Sequence, residues 1–378
     1  MRAIKPVRMV KAAGVSLLLV LVAAPAPADF KTEWKELIAA ARKEGKVVLN
    51  AVPGAKMRKE LPAAFKKKFG VNLEFVAVRT RAAAQRAIRE AATGVLSSDM
   101  ISGGQSTLAR VLYKKGMLAP IKPLLIHPDV KNPAVWKKGK PWFIDGEGQY
   151  LLRVVDVVVP VAALNRNIIK PGTFKSGKDL LDPKWKGKIA SFDPTRPGPG
   201  SNIVSHLMRL HGDQFVLDLF KGQKVKRTRN RRQLADWLAQ GRYPIAIALS
   251  ITEAARLRSD GFNIGFLMPD DTLPAGGPAS GVFVLLKGAP HPKAAQLFLN
   301  WIITKEGMQL YSDLEGAPTT RSDLDTSKLL IQESVPKPGV KYFDTAEWNY
   351  VMKEARKQFK KIKKMLGGGK SRKGKRRK

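Results

Sequence analysis

The sequence predicts an α/β protein built as two units. Apolar, strand-like runs alternate with helical periodicity between residues 47 and 115, and the same alternation resumes between residues 188 and 268. The length, 378 residues with 44% hydrophobic content, suffices for two cores of ordinary domain size.

Taken in order, the first unit starts with a helix over Trp34–Lys43. Trp34, Leu37, Ile38 and Ala41 share one face, and Gly45 stops it. Val47–Val52 reads as a strand ending in Pro53-Gly54. A helix over Met57–Phe69 closes at Gly70, a strand follows over Val71–Val78, and an alanine-rich helix spans Arg81–Thr93. Asp99-Met100-Ile101 is a short strand that leads through Ser102–Ser106 into a helix over Thr107–Lys115. In a parallel sheet of this kind ligands lie beyond the carboxyl ends of the strands. Three loops fall there: Pro53-Gly54-Ala55, Arg79-Thr80-Arg81 and Ser102–Ser106.

Pro120–Gly148 is rich in Pro, Trp and Gly and is expected to be an irregular surface connection. Tyr150–Val161 is a β-rich run long enough to cross between units, and Asn165–Pro183 is turn-rich. Lys188-Ile189-Ala190 is a strand feeding a Pro/Gly loop, Ser191–Asn202, and a helix marked by Ile203, Leu207 and Leu210. Gly212 ends that helix, and Asp213 is placed to cap the next, Gln214–Phe220. Arg231–Ala239 is an amphipathic helix. Ile245–Leu249 is a buried strand ending at Ser250, Thr252 is placed to cap Glu253–Arg258, and Ile264–Met268 is a strand. Pro274–Gly281 leads into an apolar strand, Val282–Leu286. One helix is expected over His291–Leu310, and a charged helix over Asp344–Met365.

Charge and processing signals bound the class. The formal net charge is +37, and cysteine is absent, which excludes disulfides, thiolate metal sites and a thiol nucleophile. Residues 1–28 carry four basic groups and no acid, an apolar run over Ala12–Ala24, and Ala26-Pro27-Ala28 before Asp29. This is the pattern of a cleavable export signal. With no cysteine after it to take a lipid, the expected location is the periplasm, without an anchor. Met352–Lys378 holds fourteen basic groups against Glu354 alone. After Gly367-Gly368-Gly369 the tail, Lys370–Lys378, is too charged to pack. The body is basic as well, so anions are its expected partners.

Several residues stand where an anion would bind. Gly198, Gly200, Ser201 and Asn202 combine glycine backbone freedom with the free N–H groups of a helix start. The bland alternative is a rigid loop whose Ser201 or Asn202 caps its own helix. No Gly-Lys-Ser/Thr follows, which removes the nucleotide-triphosphatase reading. Gly103, Gly104, Gln105 and Ser106 form a second such turn, or only a tight turn with a cap. Arg81 offers a planar fork to a carboxylate or phosphonate, or merely a solvated charge. Pro53 and Gly54 sit at the end of the first strand, Ser250 and Thr252 after a buried strand. Gly276 and Gly277 lie where the chain returns, as ligand contacts or as hinge. The four histidines are scattered, and Ser, His and Asp fall into no triad order. No catalytic residue and no metal site is expected, and the chain does not read as an enzyme.

Read in order, WKELIAAARKEGKVVLNAVPG (34–54), LPAAFKKKFGVNLEF (61–75), LNRNIIKPGTFKSGKDLLDPKWKGKIASFDP (164–194), GVFVLLKGAPHPKAAQLFLNWIITKEGMQ (281–309) and EGAPTTRSD (315–323) resemble one family. The chain is similar to the periplasmic substrate-binding proteins of ABC importers, in the extracellular solute-binding group that includes the ferric-ion binders. The resemblance implies two lobes, each a mostly parallel sheet flanked by helices, joined by crossover hinge strands. Lobe one would take residues 29–150 and 282–325, and lobe two 151–281. A signal over 1–28, a C-terminal helical segment over 326–366 and a disordered basic tail over 367–378 complete the division. A small-molecule ligand, held in the cleft, would be offered by a monomer to an ABC permease in the inner membrane. No cofactor and no nucleic acid enters. The ferric-ion binders carry adjacent tyrosines where this chain has Ser250-Ile251-Thr252, and its six tyrosines include no adjacent pair. Iron is therefore not expected, nor are polyamines, which need acidic cleft residues and stacked aromatics, and a carboxylate, phosphonate or phosphate ester is. The alternative is an exported protein that binds polyanions or membrane surfaces through its basic body and tail.

Overall fold

A computed structural model describes residues 29–52, 54–268 and 275–367. The proposed export signal, Pro53, Pro274 and the tail from residue 368 lie outside the described residues.

The first lobe opens with α1 (Phe30–Glu44), β1 (Lys46–Ala51), α2 (Ala55–Phe69) and β2 (Asn72–Ala77). It continues with α3 (Thr80–Ala92), β3 (Met100–Gly103) and the short α4 (Gln105–Thr107), which runs on into a π-turn. Gly45 and Gly70 stop α1 and α2 in left-handed conformations (φ 75° and 73°), where a Cβ is disfavoured. Their N–H groups donate to Ala41 and Lys66 carbonyls. Next come β4 (Leu118–Ala119), β5 (Trp142–Phe143), β6 (Leu152–Arg153) and β7 (Val157–Val159).

The second lobe is built from β8 (Ala162–Asn165), β9 (Ile189–Phe192), α5 (Pro199–Leu217), β10 (Lys226–Thr228), α6 (Arg231–Ala239), β11 (Ile245–Ile247), α7 (Ile251–Ser259) and β12 (Ile264–Leu267). The chain returns through β13 (Ala275–Gly277) and β14 (Val282–Leu286), then α8 (Pro292–Ile302) and α9 (Lys305–Glu315). It ends with β15 (Phe343–Asp344) and α10 (Ala355–Leu366).

Three sheets result. The first has the order β2-β1-β3-β14-β6-β5, with β4 also on β14; the second is β10-β9-β11-β8-β12; the third is β15-β13-β7. β1 runs parallel to β2 and β3, while β14 comes back antiparallel beside β3. In the second sheet β9 is parallel to β10 and β11, and β8 is antiparallel to β11 and β12. One core gathers Phe65, Phe69, Phe283, Phe298 and Trp301 between α2, α8 and the first sheet. The other gathers Ile189, Leu207, Leu219 and Ile245, and takes Ile362 and Leu366 from α10.

Several local expectations need correction. Pro120–Gly148 is not only surface: Ile121 is fully buried, and Trp136 is buried with its indole N–H donating to Asp129 O at 2.7 Å. The buried Asp145 carboxylate accepts three backbone N–H groups, from Gln149, Tyr150 and Leu151, and so closes that segment as a loop. The β-rich run Tyr150–Val161 divides into two strands. Its first part, β6, pairs in the first sheet, and its second part, β7, pairs with β13. The helix expected over His291–Leu310 is two helices, because Thr304 turns the chain and caps α9 through Gly307 N–H. α7 is capped by Ser250, two residues earlier than Thr252 predicted. The segment from Asp344 begins in a strand, set by its partner β13 rather than by its own charged sequence. Within α5 the expected stop at Gly212 is present, as a break in the helix with φ 85° and ψ 177°.

Candidate functional site

The lobes meet over the carboxyl ends of their parallel strands. Ile251 of α7 packs against the first lobe's core as well as its own. A Cβ built on Gly316, just after α9, would stand 4.0 Å from Ala255. Arg231, the first residue of α6, feels Glu315 and Arg79 of the first lobe and Glu253 of its own. Partial desolvation of its guanidinium lowers its pKa, and Arg79 lowers it further, while the two carboxylates act in the opposite sense.

At the head of α5 the chain lies close against β9. A Cβ on Gly200 would sit 2.3 Å from the Phe192 carbonyl oxygen, so the helix approaches the strand only because that side chain is missing. Gly198, at φ 145°, donates its N–H to Ser201 Oγ at 3.1 Å. The same hydroxyl donates back to Gly198 O at 2.9 Å, so buried Ser201 caps its own helix. Pro199 has no N–H, which leaves the amides of Gly200 and Ser201 as first-turn donors. Asn202 is exposed.

The facing turn is committed internally too. Gly103 abuts Thr80, whose Oγ1 would lie 2.1 Å from an added Cβ. That hydroxyl accepts the Gly104 N–H at 3.2 Å. Gln105 is buried and its amide donates to Thr345 O at 3.4 Å, while Ser106 O accepts from Arg110. Gly54 precedes α2, and Arg81 is exposed in the first turn of α3. Ser250 Oγ accepts the Glu253 N–H at 3.3 Å, and Thr252 is exposed. Gly276 and Gly277 lie under the C-terminal segment. Thr345 N–H and Oγ1 both donate to Gly276 O at 2.9 Å, and a Cβ on Gly277 would meet Thr345 Oγ1 at 2.3 Å. The arrangement thus sets the α5 start and the loop after β11 on the carboxyl-end edge of the second sheet and the loops after β1 and β2 on that of the first, the lobe boundary being marked by Ile251 and Arg231. It places Gly276 and Gly277 in the hinge sheet instead.

Sequence reasoning missed a group at that boundary. A cavity of about 20 Å³, room for one water, is lined by Ser102, Ser280, Tyr311 and Glu315 against an apolar wall that includes Leu49 and Phe75. Ser102 Oγ donates to Ser280 O at 3.3 Å, and Tyr311 is within hydrogen-bonding reach of Ser102. Burial pushes the Tyr311 hydroxyl well above its ordinary value. Burial likewise pushes Glu315 up to about 7, and Arg231 offsets only part of that. The only signal in the sequence is a carboxylate closing a half-apolar helix just before Gly316-Ala317-Pro318.

A larger open depression, of about 520 Å³, lies at the ends of β9 and β10 beside Leu366. Its charges are already engaged. Arg229 Nε donates to Asp193 at 2.9 Å and Arg227 donates to Leu366 O at 2.8 Å. Burial works against the Asp193 carboxylate, but hydrogen bonds from Arg229 and Thr195 hold it below the usual range. Among the described residues no cluster of three or more His, Cys, Asp or Glu is placed to share a metal ion.

Comparison with known proteins gives a consistent picture. A family model of bacterial extracellular solute-binding proteins matches residues 60–335. An uncharacterised protein of Haemophilus influenzae is 23% identical over 253 residues, covering 65% of this chain and 69% of that protein. Among solved structures, the periplasmic binding protein AfuA of Actinobacillus pleuropneumoniae, with fructose-6-phosphate bound, superposes with TM-score 0.63 at 21% identity. It covers 86% of this chain and 99% of that one. Apo ferric-ion-binding protein A of Pasteurella haemolytica superposes with TM-score 0.66 at 13% identity, again over 86% and 99%. Iron-bound HitA of Pseudomonas aeruginosa gives 0.61 at 18%, over 85% and 99%.

Proposed function

The chain belongs to the bacterial extracellular solute-binding protein family, and we propose that it captures a small anion between its lobes and hands it to an ABC-type permease. In this reading it works in the periplasm as a monomer, and the solute leaves chemically unchanged. The lobes follow the division into 29–150 with 282–325, and 151–281. A ligand touching both lobes in the closed form alone shifts the population toward that form, which the permease then recognises.

One observation carries the anionic assignment. The amino end of α5, with the Gly200 and Ser201 amides free, opens at the carboxyl-end edge of the second sheet, as does Arg231 of α6, and Arg79 at the start of α3 in the first lobe acts on Arg231, with Arg81 two residues along. Oriented amides and guanidinium groups together favour a carboxylate or phosphate. AfuA holds a sugar phosphate, and such an ester falls in the class proposed here. The ferric-ion binders share the fold, but Ser250 and Thr252 offer no phenolate.

Thermal denaturation against carboxylates, phosphonates, phosphate esters, sulfonates and ferric chelates tests this. A true ligand at a hundred times its dissociation constant adds about 2.7 kcal/mol of stability. If none stabilises the fold, and heparin or anionic vesicles bind tightly instead, the reading gives way to polyanion binding.

A further inference from the structure

The cavity beneath Glu315 differs in chemistry from the anion-ready start of α5. Its polar edge presents acceptors and small hydroxyls: the Glu315 carboxyl, Tyr311, Ser102 and the Ser280 carbonyl. No described residue donates a hydrogen bond to the Glu315 carboxyl group. Its one facing cation is Arg231, across the lobe boundary, and Arg231 is shared with Glu253 and opposed by Arg79. Glu315 is half-buried at the end of α9, with an apolar wall on its inner side. A half-buried carboxyl without a donor is costly, and a donor arriving with a ligand removes that cost.

We propose that Glu315 is a specificity determinant, selecting anions that carry a second, hydrogen-bond-donating end. This rests on the reading of the cleft as an anion site and adds its second half. The anionic end meets the α5 amides and the arginines, and a hydroxyl or ammonium at the other end donates to Glu315. Tyr311 and Ser102 complete the polar edge, and the apolar wall holds the short linker between the ends. The cavity in its present form admits one water, a stand-in of the size of a hydroxyl or ammonium group. The raised pKa of Glu315 agrees with this placement, because the group waits in a partly desolvated position. An ammonium would restore the carboxylate, whereas a hydroxyl is compatible with either protonation state.

Calorimetric titration of the full chain with propyl phosphate, 3-hydroxypropyl phosphate and 3-aminopropyl phosphate tests the assignment. The wild type is expected to bind the two donor-bearing esters at least tenfold more tightly than propyl phosphate. Glu315→Gln keeps the shape, so its melting temperature serves as the folding control. In it the ratio of amine to propyl phosphate affinity should fall most of the way to one, with a smaller fall for the alcohol, each ratio being taken within the variant so that any change in anion binding through Arg231 cancels. Equal binding of all three by the wild type overturns the proposal, as does a tenfold preference that survives in Glu315→Gln. Failure of all three, propyl phosphate included, defeats the phosphate reading beneath it, and the variant is not needed to see that.

Discussion

Both hydrogen bonds of the Ser201 hydroxyl stay within the first turn of α5, so removing it acts on the helix and not on a ligand. Ser201→Ala is expected to cost about 1 kcal/mol in denaturant unfolding and to leave anion affinity within twofold. An affinity loss of tenfold with unchanged stability would return Ser201 to the ligand. Gly200 is the opposite case. A Cβ there meets backbone, not a movable side chain, so Gly200→Ala displaces the helix start, costs about 1–3 kcal/mol and weakens anion binding. Glycine at 200 was legible as a place where something comes close, but not what comes: it is the strand behind, not the solute in front. Thr80 was invisible for a related reason, since its task is fixed by Gly103 and Gly104 across the sheet. Glu315 supplies a pH test. Its native pKa, about 7, lies above the ordinary 4.5, so the folded state takes up a proton. Its contribution is fully present below about pH 4.5 and is lost as pH rises through 7. Glu315→Gln mimics the protonated form. It should match the wild type near pH 4.5 and exceed it near pH 8, by up to about 3 kcal/mol on the scale of 1.36 kcal/mol per unit. Parallel pH–stability curves for the two proteins would contradict the assignment.

At the scale of elements, the helices and parallel strands of both lobes were readable because their signals are local. Gly45 and Gly70 end helices wherever they fall, and the alternation of apolar runs needs no distant partner. The unreadable elements are those fixed from afar. β15 is two residues of a charged stretch, and it exists because Ala275 and Gly276 pair with Phe343 and Asp344. Buried Arg153 strengthens that pairing, its Nη1 donating to both Asp344 oxygens at 3.0 Å. Asp156 and the Val155 carbonyl take its other donors. Asp344→Ala leaves a buried guanidinium with half of its acceptors and is expected to cost about 3 kcal/mol, with Asp344→Asn costing less. Chemical denaturation of the two variants checks this, and an unchanged midpoint for Asp344→Ala would show that Asp156 alone satisfies Arg153. The split of Tyr150–Val161 has the same origin. Its residues are mostly apolar, with Arg153 and Asp156 among them, but β6 and β7 answer to different sheets.

Across the whole molecule, the last described stretch ties three bodies together. β15 pairs with β13 in the sheet that also holds β7. Ala346 and Val351 are buried with α3, β14 and the π-turn in the first lobe, while Ile362 and Leu366 are buried in the second. Phe343 stacks on His206 of α5 at 5.7 Å, and Tyr350 meets the same Phe343 edge-on at 4.9 Å. A segment anchored on both sides of a hinge makes opening of the lobes depend on its own sliding or release. Each buried Val, Ile or Leu here stabilises by about 1.5–3 kcal/mol relative to exposure, so the strap is strong enough to couple the two cores. A chain ending at Gly367 should therefore melt as the full chain does, in one calorimetric transition. A chain ending at Lys341 should melt at least about 5 °C lower, with the lobes separating into two transitions. It should also bind anions more weakly, because the open form becomes easier to populate and closure must then draw more of the ligand's binding free energy. A single, unshifted transition in the Lys341 chain would show that the lobes couple through Ile251 and the hinge strands alone, and would leave α10 as a passenger on the second lobe.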